Sequence, residues 1–268
     1  MNFETVFEEL EPDGTAWLDE RPEDRPCEDC GVMLEPSKDF RADRWLVPPP
    51  TCYECERKDE RESLDKERRR KSYQDSLDAA ELPKRPLKEA RRLGLNKPIP
   101  EVMKFCKVDP KEGDSIFLHG PTGTGKTLQS VLAIKAFLYL WSYQSGRRVS
   151  ARYAHLGDVI DKTKRSFGDG EPVDWDALEN CDLLVIDDMS TERGTEYAAE
   201  VIGNLIDYRY REMKATIFIA NVSPFDLAGK TGAYDDRVAG RIVEMCGGST
   251  TNHIRLAKKY RTGSQGVL

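Results

Sequence analysis

Long apolar runs are missing from this chain: no window approaches 18 consecutive hydrophobic residues, which excludes a membrane-spanning helix. A basic amino-terminal region is missing too. The opening MNFETVFEEL is acidic, so an ordinary secretory signal is not expected and a cytoplasmic location is. Seven cysteines, an odd number, argue against a disulfide framework. An excess of positive charge is absent as well. The net charge of -7 excludes a globally basic nucleic-acid binder and leaves room only for local basic surfaces. There is no internal repeat. What remains is a 268-residue chain with 38% hydrophobic and 33% charged residues, enough for one large domain or a medium domain plus a small one.

The charge is unevenly placed. Residues 1–55 hold 5 Lys/Arg and 15 Asp/Glu, a balance of -10, and residues 56–93 hold 13 and 10, a balance of +3. Such asymmetry suggests segments with separate partners. In the lead-in, Phe3, Phe7 and Leu10 have the spacing of a short amphipathic helix, but an acidic disordered segment is equally compatible. Two CxxC pairs follow, Cys27/Cys30 and Cys52/Cys55, separated by 21 residues. Two residues between cysteines let one tight turn present two thiolates to a tetrahedral ion, which Gly31 helps the chain leave. With only Phe40, Trp45, Leu46 and Val47 as apolar company, a module this small needs a metal staple. A structural zinc site is expected, with all four positions filled.

From Glu56 to about Leu82 the composition favours a solvated helix joining modules, with Glu62/Lys66, Asp65/Arg69 and Glu67/Lys71 as supporting i, i+4 pairs. Its basic knot, Arg68 to Lys71, reads either as a solvated face or as a phosphate contact. Pro83, Pro86, Pro98 and Pro100 punctuate a linker with a short helix at 86–91. Three segments result: 1–55, lead-in and zinc module; 56–100, charged helix and linker; and 101–268, an α/β domain with a parallel sheet flanked by helices. In the last, strands are expected at 115–119, 148–153, 183–186 and 215–220. Helices are expected at 126–143, about 155–167, 196–213 and 234–246, with 253–256 completing the sheet.

Gly120-Pro121-Thr122-Gly123-Thr124-Gly125-Lys126-Thr127 fits G-x-x-x-x-G-K-[ST] in full, between a strand and a helix. Its glycines let backbone N–H groups converge on phosphate oxygens at a helix N-terminus. Lys126 suits the β and γ phosphates, and Thr127 suits Mg²⁺. Leu183 to Ile186 ends in Asp187 and Asp188. Asp187 would hold Mg²⁺ through water and Asp188 would orient the attacking water. Asn221 ends the next apolar strand and reads either as a γ-phosphate or water contact or as a turn residue before Ser223-Pro224. Cys106, Cys181 and Cys246 read as buried reduced thiols.

This order of phosphate loop, paired acids, strand-end Asn and late arginines resembles an AAA+ ATPase, and within that group the DnaC/DnaI-type helicase loaders and their IstB-like relatives, over residues ~100–262. The most family-specific stretch is Asp236-Arg237-Val238-Ala239-Gly240-Arg241-Ile242. The resemblance implies that Arg241, with Arg237 one turn earlier as the alternate, reaches the γ-phosphate on a neighbouring subunit, and that Arg261 contacts nucleotide in cis. The chain departs from the family at Asp187-Asp188, where Asp-Glu is common, at Ile219-Ala220-Asn221, where Thr-Ser-Asn is usual, and at the first CxxC, where loader-like proteins with a zinc module often use Cys-x-x-His. With the sequence ending soon after Arg261, a helical lid domain is not expected, as in loaders. The implied function is an ATP-, Mg²⁺- and Zn²⁺-dependent loader of a replicative DNA helicase hexamer onto single-stranded DNA, self-associating through the ATP site. Arg91, Arg92, Arg147 and Arg148 are candidate DNA contacts. The rival is an IstB-like ATPase regulating a transposase on duplex DNA. Two further readings, a nucleotide-dependent scaffold without turnover and a P-loop nucleotide kinase, are disfavoured by Asp187-Asp188 and by the short carboxyl tail respectively.

Overall fold

The structure is a computed structural model that describes residues 17–39, 43–166, 172–189, 196–228, 234–248 and 252–257. The chain divides into two compact units, Met1–Arg68 and Arg69–Leu268.

In the first unit, β1 (Trp17–Leu18), β4 (Ser37–Asp39) and β5 (Arg44–Leu46) form an antiparallel sheet in the order β1-β5-β4. A separate hairpin pairs β2 (Arg25–Pro26) with β3 (Met33–Leu34). Trp45 on β5 packs beneath two cations, Arg21 at 5.8 Å and Lys38 at 5.6 Å from the ring centre. Phe40 lies outside the described residues. Among the described residues of this unit only Cys27, Pro36 and Pro48 are buried. That is far too little apolar burial to offset the chain entropy of folding, so the unit depends on something other than a hydrophobic core.

α1 (Tyr53–Ala79) begins in the first unit and ends in the second. Its last turns depart from the solvated helix expected from composition. Tyr73 and Leu77, followed by Ala80 and Leu82, pack against the cluster of Phe137, Leu138 and Val149. Ser76 Oγ donates to Val149 O at 3.1 Å, and Arg69 Nη1 donates to Gln144 O at 3.2 Å. Tyr73, Leu77 and Ala80 have i, i+4, i+7 spacing, a narrow apolar stripe that the surrounding charge hides.

The second unit continues with α2 (Lys84–Arg92) and α3 (Pro100–Cys106). The alternating part then runs β6 (Ile116–His119), α4 (Lys126–Leu138), β7 (Ala151–His155), α5 (Leu156–Arg165), α6 (Trp175–Asn180), β8 (Leu183–Asp187), α7 (Glu196–Arg211), β9 (Ala215–Ala220), α8 (Asp236–Met245) and β10 (His253–Arg255). The five strands form one parallel sheet in the order β10-β6-β9-β8-β7. Successive side chains of a strand point to opposite faces, and both faces are apolar here. Phe117, Leu184, Ile186 and Phe218 enter one core with residues of α5 to α8, while Ile116, Leu118, Val185, Ile217 and Ile219 enter the other with α3 and α4. Cys106, Cys181 and Cys246 are buried free thiols, and burial pushes Cys106 up to about 12.

Two expected boundaries moved. The Ser150 amide donates to the Asp182 carboxylate at 2.8 Å, and β7 starts at Ala151 rather than Arg148 and runs on through the polar His155. The helix expected to run to Tyr143 is α-helical only to Leu138 and continues as a π-helical turn, Tyr139–Gln144. Arg209 on α7 is fully buried. Its guanidinium donates to the carbonyls of Leu178, Glu179, Cys181 and Ala215 at 2.7–3.1 Å and to Thr216 Oγ1 at 3.0 Å. It thereby ties the carboxyl end of α6 to the starts of β8 and β9, where helix carbonyls favour a cation. Nothing in the sequence pattern of α7 marked it.

Candidate nucleotide site and metal centre

The phosphate loop leaves β6 at Gly120 and enters α4 at Lys126. Gly120 has φ 137°, and a Cβ there would lie 2.2 Å from Leu256 O, so glycine alone lets the loop pass the exit of β10. Gly125, at φ 87°, is the residue that caps α4. The first amides of α4 have no acceptor within the helix and suit an anion. Lys126 Nζ donates to Gly120 O at 2.7 Å, Pro121 O at 3.0 Å and Asn221 Oδ1 at 3.0 Å. Burial pulls the lysine's pKa down against the opposing pull of Asp187 and Asp188. Its present partners are all neutral oxygens, an acceptor set that phosphate oxygens would replace.

Asp187 ends β8 and Asn221 follows β9, which brings them beside the loop although 33 residues lie between them in sequence. Thr127 Oγ1 donates to Asp187 Oδ2 at 2.7 Å, so the threonine oxygen keeps its lone pairs for a cation. Asp188 adopts a left-handed φ of 66°, and its amide donates to Asp187 Oδ1 at 2.8 Å. Two residues the sequence reading passed over complete the wall. Tyr153 OH reaches Asp187 Oδ2 at 2.5 Å, and His155 Nε2 lies 3.9 Å from Asp188 Oδ2. Both come from β7, whose register places His155 opposite Asp187. Thr122, Gly123, Gly125, Lys126, Thr127, Asp187, Asp188 and Asn221 line one cleft of about 680 Å³ together with Pro83, Arg85, Pro86 and Glu89. The stretch read as a linker thus supplies one side of the cleft, because Ala90 of α2 packs on Leu128 and Leu132 of α4. A second cleft of about 720 Å³ beside β10 holds none of these groups.

Arg237 and Arg241 stand one turn apart on α8 and share a single acid of α7. Arg237 Nη1 lies 3.2 Å from Asp207, and Arg241 is ion-paired with the same carboxylate while its guanidinium carbon stands 5.5 Å over the Tyr210 ring. Arg261 lies outside the described residues. Of the four candidate DNA contacts, Arg147 is held by Asp109 at 2.8 and 3.3 Å and Arg92 by Glu89 at 2.6 Å, whereas Arg91 and Arg148 are exposed.

In the first unit the four cysteine sulfurs of Cys27, Cys30, Cys52 and Cys55 lie within 4.8 Å of one another. The hairpin turn after β2 delivers the first pair and the start of α1 the second. Cys30 and Cys52 Sγ are 3.7 Å apart. A tetrahedral zinc ion with bonds of ~2.3 Å to sulfur sets sulfur–sulfur separations of about 3.8 Å, so this donor set fits zinc. Hydrogen bonds from the backbone at Cys30 and Cys52 hold the Cys27 thiol down at about 6, and the Cys52 amide stands 3.2 Å from its sulfur. The neighbouring sulfurs push Cys55 up, a crowding of like groups that a cation relieves.

No family model matches the chain. Chromosomal replication initiator protein DnaA of Desulfotalea psychrophila is 22% identical over 161 residues, 57% of this chain. The chain spans about a third, 32%, of that relative's length. Among solved structures, a DnaC helicase loader gives a TM-score of 0.46 at 24% identity over 69% of this chain and 97% of that one. A DnaI gives 0.47 at 21%, covering 72% and 93%. AMPPCP-bound DnaA from Aquifex aeolicus gives 0.43 at 19%, covering 58% and 44%. What decides the fold is internal to the chain. The sheet places its own strands in the order fifth, first, fourth, third, second, with the phosphate loop after the first, paired acids after the third and a polar residue after the fourth. The second unit is therefore a P-loop α/β fold, a parallel sheet flanked by helices. The phosphate-loop residues, Asp187, Asp188 and Asn221 were named from sequence, whereas Tyr153, His155 and the α2 side of the cleft were not.

Proposed function

We propose that this chain is an ATP-controlled loader of a replicative DNA helicase, working in the cytoplasm on single-stranded DNA. The observation that carries the reading is the pairing, on one chain, of a nucleotide cleft with a separate unit built around four clustered cysteines. The likeness to a replication initiator supports a replication setting.

In this reading the backbone from Gly120 to Gly125, with Pro121, Thr122, Gly123 and Thr124 between, cradles the phosphates. Lys126 turns from its carbonyl partners to the β and γ phosphates. Thr127 and Asp187 hold Mg²⁺, which when bound supplies positive charge at the γ-phosphate. Asp188 and Asn221 orient the attacking water. Arg241, or Arg237, leaves Asp207 for the nucleotide of a neighbouring subunit, so that subunits assemble only while a γ-phosphate is present. Arg261 contacts nucleotide within its own subunit. The zinc unit, with Cys27, Cys30, Cys52 and Cys55 as ligands, holds the helicase hexamer. The chain accordingly falls into a zinc module over 1–55, a connecting segment over 56–100 and an ATPase over 101–268.

Light scattering of the protein mixed with a bacterial replicative helicase, with and without a non-hydrolysable ATP analogue, tests this. A stoichiometric complex is expected. Absence of a complex, with filament formation on duplex DNA, would favour a transposase regulator instead.

A further inference from the structure

Asp187 is held by three donors. Thr127 and Tyr153 both give hydroxyl hydrogens to Oδ2, at 2.7 and 2.5 Å, and the Asp188 amide occupies Oδ1 at 2.8 Å. Thr127 belongs to the phosphate loop, and Asp188 starts the loop after β8 in a left-handed conformation. Tyr153 is different: it lies within β7, and its register partner on β8 is Val185, two residues before the acid. Its backbone amide is bonded to Ala80 O at 3.0 Å, and its ring packs against the apolar cluster on that face of the sheet. A phenol so fixed cannot follow the carboxylate; the carboxylate must follow it.

We propose that Tyr153 is a positioning residue for the divalent cation of the nucleotide site, pinning the Asp187 carboxylate in the single orientation from which that cation is met. The proposal rests on the reading of the cleft as a nucleotide site. Partners that orient a ligand rather than bind the metal commonly govern metal affinity by ten- to a hundredfold, and the phenol stands in that relation to Asp187.

Tyr153→Phe removes one oxygen and keeps the ring in the apolar cluster. Binding of a fluorescent ATP analogue, followed while Mg²⁺ is titrated, reads the effect without turnover. The expected result is a Mg²⁺ midpoint about tenfold higher in Tyr153→Phe, with unchanged analogue affinity in EDTA. In an Asp187→Asn background the same substitution should add no further shift, since the two act as one unit. An unchanged or lower Mg²⁺ midpoint overturns the proposal, and so does an equal loss of affinity with and without Mg²⁺, which would make the tyrosine a shaper of the cleft. If the unaltered protein binds no analogue at all, it is the nucleotide-site reading that falls.

Discussion

Arg209 offers a sharp test of the packing argument. Replacing it by Met keeps much of the side-chain volume but strands the carbonyls of Leu178, Glu179, Cys181 and Ala215 inside the second unit. Stranded buried acceptors cost roughly 1 kcal/mol each at the low end, about 4 kcal/mol for the four. Against this, the variant no longer buries a guanidinium, and that desolvation, which already depresses the arginine's pKa, returns part of the loss. The carbonyls at the end of α6 are aligned on the cation, so the acceptors win, leaving a net destabilisation of about 2–4 kcal/mol. For a unit of this size each kcal/mol moves Tm by about 2–4 °C, so calorimetry should show a fall of roughly 4–16 °C. Nucleotide affinity well below the transition should be unchanged, because Arg209 sits at the starts of β8 and β9 and the cleft lies at their far ends. A Tm that holds or rises would refute the reasoning and show desolvation to be the larger effect.

Other outcomes follow from the two sites. Metal analysis should find about one zinc per chain, and Cys27→Ser or Cys52→Ser should remove it and unfold the first unit, with nucleotide binding by the second unit retained. Lys126→Ala should abolish nucleotide binding, whereas Arg241→Ala should leave binding intact and remove turnover; turnover retained in both Arg241→Ala and Arg237→Ala would sink the trans-arginine reading. Burial lowers the pKa of His119 and of His253, with the positive charges of His253 and Arg255 adding to the effect on His119. The unfolded chain therefore binds protons first, near pH 6.5, and stability should fall as pH drops from 7 to 5. Thermal melts across that range check it, and a His119→Gln/His253→Gln variant should flatten the slope.

What could be read from sequence was what local chemistry dictates. The phosphate loop, Asp187-Asp188 and Asn221 each occupy a strand end, and a strand end is visible as an apolar run that stops at a polar residue. The four cysteines are visible because two-residue spacing is itself the geometry of a metal turn. Tyr153 escaped because its meaning lies sideways, in the register of β7 against β8, and register is not written in either strand alone. Arg209 escaped because a helix with arginines at 209 and 211 reads as solvated until the strands beside it are placed. The end of α1 was misread because three apolar residues among many charges, Tyr73, Leu77 and Ala80, suffice to dock a helix end when they fall on one stripe. The role of α2 in the cleft was hidden by Pro83 and Pro86, which stand at the N-cap and in the first turn of the helix rather than in a free linker.

The shared carboxylate of Asp207 has one more implication. Two guanidinium groups face Asp207, and Arg237 also has Asp235 at 3.9 Å, so either arginine can hold the Asp207 carboxylate while the other turns away. When one arginine departs for another acceptor, the second still neutralises Asp207, and the usual penalty for abandoning a half-buried acid does not arise. Departure then breaks one of two ion pairs and leaves no acid unpaired. An arrangement of three charged groups thus behaves as a reversible donor of one.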